Sequence, residues 1–258
     1  MLTGFLPAFS VEAEQTKSPI RILIAPGHDN QVWGTQYGNL KEADMNLALG
    51  MQIYNLLKKD KRFKVYITRD QSGYTKTFAD YFADHRADII SFKENAKKEA
   101  QSQIASGSII QKNGVPHASV SADTSIKLYG INKWADENNI DAVINVHFDD
   151  YYRPDVWTIG KYKGFTVYFP DAQMPNAKES VPLASNIFGQ LSKKYNISNF
   201  QDESKGLVPD QKLIALGVNN SLTSNVRSVL IEYGYIYQKI FHFHEDQVLV
   251  DHGILLVE

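Results

Sequence analysis

The chain has no cysteine among its 258 residues. A disulfide framework, a thiolate metal site and a cysteine nucleophile are therefore excluded. Any metal ion must be bound by histidine, aspartate or glutamate side chains. The absence of cysteine is compatible with an exported protein but does not establish export.

Charge of one sign and long apolar runs are also missing. The 27 basic and 29 acidic residues leave a net charge of −2, and no basic block stands out, so we expect no nucleic-acid partner. No apolar run approaches the roughly 20 residues of a membrane helix, which predicts no membrane span. P-loop, dinucleotide-binding and serine-hydrolase motifs are absent as well.

The remaining composition predicts an α/β protein. A buried-type strand at 21–25, a helix at 39–60 and a second strand at 63–70 form a βαβ unit, which implies a parallel sheet. Asn39 is the expected N-cap of that helix. We expect a flexible tail or signal remnant at 1–19 and one catalytic domain at 20–258.

Further elements follow the same periodicities. The sequence predicts a charged helix over 74–105, a helix over 125–139 and a helix that opens with Ser180 as N-cap. Further strands are expected at 141–150, 164–170 and 226–236, a short element of uncertain type at 213–220, and a helical tail at 243–258.

Three predicted strands end in residues that can carry chemistry. The strand RILIA runs into Pro-Gly-His28, AVINV into His147, and SVLI into Glu232. Glu42 lies in the first turn of the helix after the first strand. Because the carboxyl ends of parallel strands share one edge, these four side chains converge if the three strands are neighbours.

Two imidazoles and two carboxylates suit a catalytic zinc ion. Two histidines and one glutamate are a known ligand set, and the second glutamate is then free to act as a base. Each residue also has a simpler interpretation. His28 alone is typical of a solvated turn, and Asn39-x-x-Glu42 matches a capping box in which Glu42 bonds back to the helix start.

Taken together, the motifs resemble the zinc-dependent N-acetylmuramoyl-L-alanine amidases of the Amidase_3 type. The matching pieces are ILIAPGH, NLKEADMNLALGMQIYNLL, VYITRD, DAVINVHFDD and SVLIEYGYI, in the family's order over roughly residues 20 to 256. The resemblance implies a three-layer α/β/α fold around a mostly parallel, roughly six-stranded sheet. It implies His28, Glu42 and His147 as zinc ligands and Glu232 as the catalytic glutamate.

The implied reaction is hydrolysis of the amide between the lactyl group of N-acetylmuramic acid and L-alanine of the peptidoglycan stem peptide. Another zinc peptidoglycan hydrolase, such as a carboxypeptidase, and a non-catalytic wall-binding module remain as alternatives. We expect a monomer that is secreted or located in the cell envelope, with peptidoglycan or muropeptides as its partner.

Several positions depart from the family pattern and are candidates for shaping the cleft. Asp29 and Asn30 stand where glycines are usual, and Asp149 follows the second histidine. Arg69 ends a strand and is expected either to bind an anionic group or to pair with Asp70. The segment between Arg69 and Asp141 is longer than usual for the family, and we predict that residues 74–125 are an added helix and loop that flank or cover the cleft.

The remaining histidines have weaker contexts. His85, His117 and His252 are expected at the surface. His242 and His244 lie two residues apart on a predicted helix, where they would face different ways.

Overall fold

The computed structural model describes residues 18–112 and 120–238. Ten strands occur in the described part of the chain: β1 (Ile20–Pro26), β2 (Gln36–Tyr37), β3 (Leu40–Lys41), β4 (Phe63–Ile67), β5 (Arg69–Asp70), β6 (Gly73–Tyr74), β7 (Ala142–Asp149), β8 (Thr166–Pro170), β9 (Leu207–Asp210) and β10 (Arg227–Tyr235). The helices there are α1 (Glu42–Leu57), α2 (Lys76–Asp84), α3 (Arg86–Ala105), α4 (Ala122–Glu137) and α5 (Ala177–Leu191), with 3-10 turns at Gln201–Glu203, Ile214–Leu216 and Val218–Asn220.

Six strands form the central sheet in the order β4-β1-β7-β10-β8-β9. All neighbours are parallel except β8 and β10, which are antiparallel. The predicted mostly parallel, six-stranded sheet is thus confirmed. β9 was not predicted, because Leu207–Asp210 is short and contains a proline.

Helices cover both faces of the sheet, which confirms the three-layer α/β/α arrangement. On one face, Met45 and Leu49 of α1 and Leu183 of α5 pack with Ile144. On the other face, Phe78 of α2 and Trp134 of α4 pack with Leu23 and Val143. Since alternate residues of β1 and β7 enter the two cores, these strands are apolar on both sides.

Two helix predictions were wrong in detail. The helix expected over 74–105 is divided at His85 into α2 and α3. The helix expected to have Ser180 as its N-cap begins four residues earlier, with Asn176 at the N-cap position. The Ser180 hydroxyl donates instead to the carbonyl of Asn176 and accepts from the amide of Ser228, so it joins α5 to β10.

The segment 74–125, predicted as an addition beside the cleft, contains α2, α3 and the start of α4. Phe78 is 1% exposed and its ring lies 4.7 Å from that of Trp134, so α2 contributes to the main core. A covering role for this segment stays a prediction.

In the described residues no helix has the length and apolarity needed to cross a membrane. His117, His242, His244, His252 and the predicted tail helix lie outside the described residues.

Candidate active site

His28 reaches the site from the end of β1. The Gly27 amide donates to the Val146 carbonyl at 2.8 Å, and His28 then takes the left-handed conformation with φ of +63°. That conformation is strained for a residue with a Cβ, at about 1–3 kcal/mol. The Asp29 carboxylate supports the turn by accepting the amides of Gln31 at 2.9 Å and Val32 at 2.8 Å.

Glu42 lies between two imidazoles. Its Oε2 is 3.0 Å from Nε2 of His28, and its Oε1 is 3.1 Å from Nδ1 of His147. The residue is 4% exposed, and Asn46 Nδ2 and the Thr35 amide also donate to the carboxylate. The capping-box interpretation was wrong: the N-cap position is Lys41, not Asn39, and Glu42 turns toward the histidines.

These three residues form one compact group. Donor atoms of His28, Glu42 and His147 all lie within 4.8 Å of one another, so the group could hold a metal ion. Two glycines pack directly against it. A Cβ on Gly27 would lie 2.2 Å from the His147 ring, and one on Gly34 would lie 2.2 Å from Oε2 of Glu42.

Electrostatics keep this group in a form suited to a cation. Burial by itself would raise the pKa of Glu42, but the hydrogen bonds and charges of His147 and His28 outweigh it and hold that pKa well below its usual range. Burial lowers the pKa of His147, which Glu42 only partly offsets. An ionised carboxylate beside a neutral imidazole is the donor state that binds a metal ion.

Glu232 stands next to the group on β10. It pairs in register with His147 on one side and with Thr166 on the other. Its Oε2 is buried and has no hydrogen-bond partner in the described structure. Burial raises the pKa of Glu232, and the negative charges of Asp149, Glu42 and Glu203 raise it further. An unpartnered carboxyl oxygen at this position fits a site that is completed by a cation and a water molecule.

Asp149 interacts with Glu203, a buried residue that the sequence did not predict as part of the site. Its pKa is raised well above the ordinary value by burial and by the charge of Glu203. Glu203 is 2% exposed and accepts from the hydroxyls of Tyr168 at 2.7 Å and Ser198 at 2.6 Å. No sequence motif predicts a role for Glu203, because the residue lies in the polar stretch NFQDESKG between two predicted elements. Substrate contact by Asp149 stays a prediction.

Arg69 does not line the cleft surface. It is 1% exposed, and its guanidinium donates to the carbonyls of Pro26 at 3.1 Å, Gly27 at 2.9 Å and Ala43 at 2.5 Å. Among the described residues Arg69 makes no ion pair with Asp70, and binding of an anionic group by Arg69 stays a prediction. Arg69 instead ties the turn before His28 to the start of α1.

The two residues after His28 have different environments. Asp29 is 8% exposed and pairs with Lys127 of α4 at 3.0 Å, so it serves the structure of the cleft wall. Asn30 is exposed at the tip of the turn, where contact with a substrate remains a prediction. His85 is exposed in the structure as well, as expected.

The fold and the site together define a class: an α/β protein whose parallel sheet carries, at its carboxyl edge, a His–Glu–His group that could bind a metal ion. The chain belongs to the Amidase_3 family, described as N-acetylmuramoyl-L-alanine amidase, whose model matches residues 22–240. The protein is thus an enzyme of the N-acetylmuramoyl-L-alanine amidase type.

Solved structures share this fold. The CwlD amidase of Clostridioides difficile, in a complex with the GerS lipoprotein, has a TM-score of 0.50 at 15% identity, over 84% of this chain and 82% of that one. The amidase Ami1 of Mycobacterium smegmatis has a TM-score of 0.50 at 14% identity, with the same coverage of 84% and 82%. No curated protein matches the sequence.

Proposed function

We propose that the protein is a zinc-dependent enzyme that hydrolyses the amide between the lactyl group of N-acetylmuramic acid and L-alanine of the stem peptide. One observation carries the proposal. The Glu42 carboxylate is held between His28 and His147 while an unpartnered carboxyl oxygen of Glu232 lies on the next strand.

In this proposal His28, Glu42 and His147 hold the zinc ion. A zinc ion there supplies a Lewis acid that polarises the lactyl carbonyl and lowers the pKa of water. Two histidines and a glutamate leave a coordination position open, as catalytic zinc sites require.

Glu232 is the proposed general base and acid. Its carboxylate takes a proton from the attacking water and returns it to the departing nitrogen of L-alanine. Its neighbours suit this role. Burial and then the nearby negative charges raise the pKa of Glu232, and its unpartnered Oε2 leaves an acceptor for water. Arg69 and Asp29 position the turn that holds His28.

The test is product analysis. Purified protein with zinc is incubated with sacculi or disaccharide-peptide monomers, and the products are identified by mass spectrometry. Free stem peptide with a new N-terminal alanine supports the amidase. Loss of a terminal amino acid would instead support a carboxypeptidase, and binding without release a wall-binding module.

The proposed role of Glu232 is tested by Glu232→Gln, which should retain zinc and lose turnover. Glu179→Gln is the matched control, since Glu179 pairs with Arg227 at the start of β10, away from the carboxyl edge. Retained turnover in Glu232→Gln would exclude the assigned role.

The family acts on the cell wall, so we also propose that the protein works as a secreted or envelope protein and as a monomer. Cell fractionation and light scattering of the purified protein test these two points. Retention in the cytoplasm or a stable oligomer would contradict them.

A further inference from the structure

A cavity of about 640 Å³ lies beside the two histidines. Its size falls within the range of roughly 300–1,000 Å³ typical of ligand pockets. His28 and His147 line one side of it. The rest of the wall is mostly apolar, with contributions from Tyr74, Leu128, Ile131, Leu213, Ile214 and Leu230.

The fold builds this wall from α4 and from the turn after β9. Thr124, Leu128 and Ile131 follow one another at helical spacing and thus share one face of α4. The ion pair between Lys127 and Asp29 fixes that helix to the His28 turn. Asp29, which stands where the family usually has glycine, therefore helps to form the cavity.

Lys212 is an exposed residue of the same wall. Within the described ranges its ammonium group makes no ion pair. Lys127, by contrast, is paired with Asp29 and Asp123, and Lys112 with Asp171. The cavity thus joins an apolar lining and an unpaired positive charge to the group that could bind a metal.

We propose that this cavity receives the stem peptide and that Lys212 binds the first free carboxylate beyond L-alanine, the α-carboxylate of γ-linked D-glutamate. The inference rests on the proposed function and specifies how its substrate is oriented. A glycan strand continues in both directions past each lactyl group, so it requires an open surface. The peptide is a branch with a free end and can enter a recess.

The chemistry of the peptide matches the wall. Its alanine methyl groups and the methylenes of glutamate suit the apolar side chains, where burial of apolar surface is favourable. Because glutamate is linked through its γ-carbonyl, its α-carboxylate stays free on the second residue after the scissile bond. An exposed ion pair to Lys212 would distinguish this carboxylate from the amide that replaces it in amidated peptidoglycan.

The test uses two disaccharide-peptide monomers that differ only at this group, one with the free α-carboxylate and one with the amide. The wild-type enzyme with zinc should favour the carboxylate substrate about fivefold in kcat/KM, through KM, as an exposed ion pair allows. Lys212→Met should abolish the preference, Lys212→Arg should retain it, and Lys205→Met, an exposed control outside the cavity wall, should not change it.

Binding to the inactive Glu232→Gln protein, measured by calorimetry, should show the same preference. Equal activity of the wild-type enzyme on both substrates, or a preference that survives Lys212→Met, would overturn this inference and leave the amidase function intact. Failure of the wild-type enzyme to cleave either substrate would overturn the proposed function and the inference with it.

Discussion

His147 and Glu232 stand directly opposite each other on the neighbouring parallel strands β7 and β10. Registered residues of adjacent strands project from the same face of a sheet, so the pairing brings an imidazole and a carboxylate together from positions far apart in the chain. Glu42 reaches the same place from the start of α1 and contacts His147 at 3.1 Å. The sheet register is therefore what assembles the candidate site.

Zinc should stabilise the wild-type protein through Glu42. At a free zinc concentration 100 times Kd, binding adds about 2.7 kcal/mol to the free energy of unfolding. Glu42→Gln removes the carboxylate between the two histidines and should lose most of this gain, while the control Glu179→Gln should keep it. Thermal unfolding with zinc and with a chelator measures the effect. An equal gain in Glu42→Gln would contradict the ligand assignment.

Gly34→Ala should disrupt the site without unfolding the protein. A Cβ there would lie 2.2 Å from Oε2 of Glu42 and 2.7 Å from the His28 ring, at a φ of +75°. Displacement of these side chains by about 1 Å is expected to lower kcat/KM roughly 100-fold. Gly189→Ala is the control, because a Cβ at that helical position meets nothing within 4 Å. Wild-type activity in Gly34→Ala would show that the site tolerates the displacement.

Arg69→Met should destabilise the fold. The change leaves three backbone carbonyls without their buried donor, and we expect a loss of about 3 kcal/mol in the free energy of unfolding. Arg62→Met removes an exposed pair with Asp60, which water screens, so this variant should have nearly the stability of the wild type. Urea denaturation compares them. Similar stabilities for the two variants would argue against a structural role for Arg69.

Asp149→Asn should alter the pH dependence of stability. The pKa of Asp149 is raised in the folded protein, so its protonated form stabilises the fold fully at pH values below about 3.8. This contribution is lost as pH rises through the folded pKa. Asparagine resembles the protonated acid and does not titrate, so the variant should gain stability relative to wild type as pH rises above about 3.8.

Unfolding measured at several pH values tests this expectation. Asp202→Asn, at an exposed position near Glu203, is the control and should follow the wild-type curve. A constant difference between Asp149→Asn and wild type at every pH would contradict the linkage.

Sequence reasoning reached the fold through local patterns. Continuous apolar runs predicted β1, β7 and β10 as buried strands, and the parallel sheet followed from the βαβ unit. Family resemblance added the ligand set and the third layer. Short or polar elements gave no comparable signal, which is why β9 and the break at His85 were missed.

Residue chemistry alone determined that a metal in this protein needs histidine and carboxylate ligands, because the chain has no cysteine. Tertiary structure decided where the carboxylates lie and which side chains they contact. Glu42 leaves the capping role suggested by its spacing, because the fold places the imidazoles of His28 and His147 at 3.0 and 3.1 Å from its carboxylate oxygens. Arg69 and Asp29 were expected to face the cleft, but both are buried in the structure that supports it. Only the folded chain brings backbone carbonyls to Arg69, and backbone amides and Lys127 to Asp29.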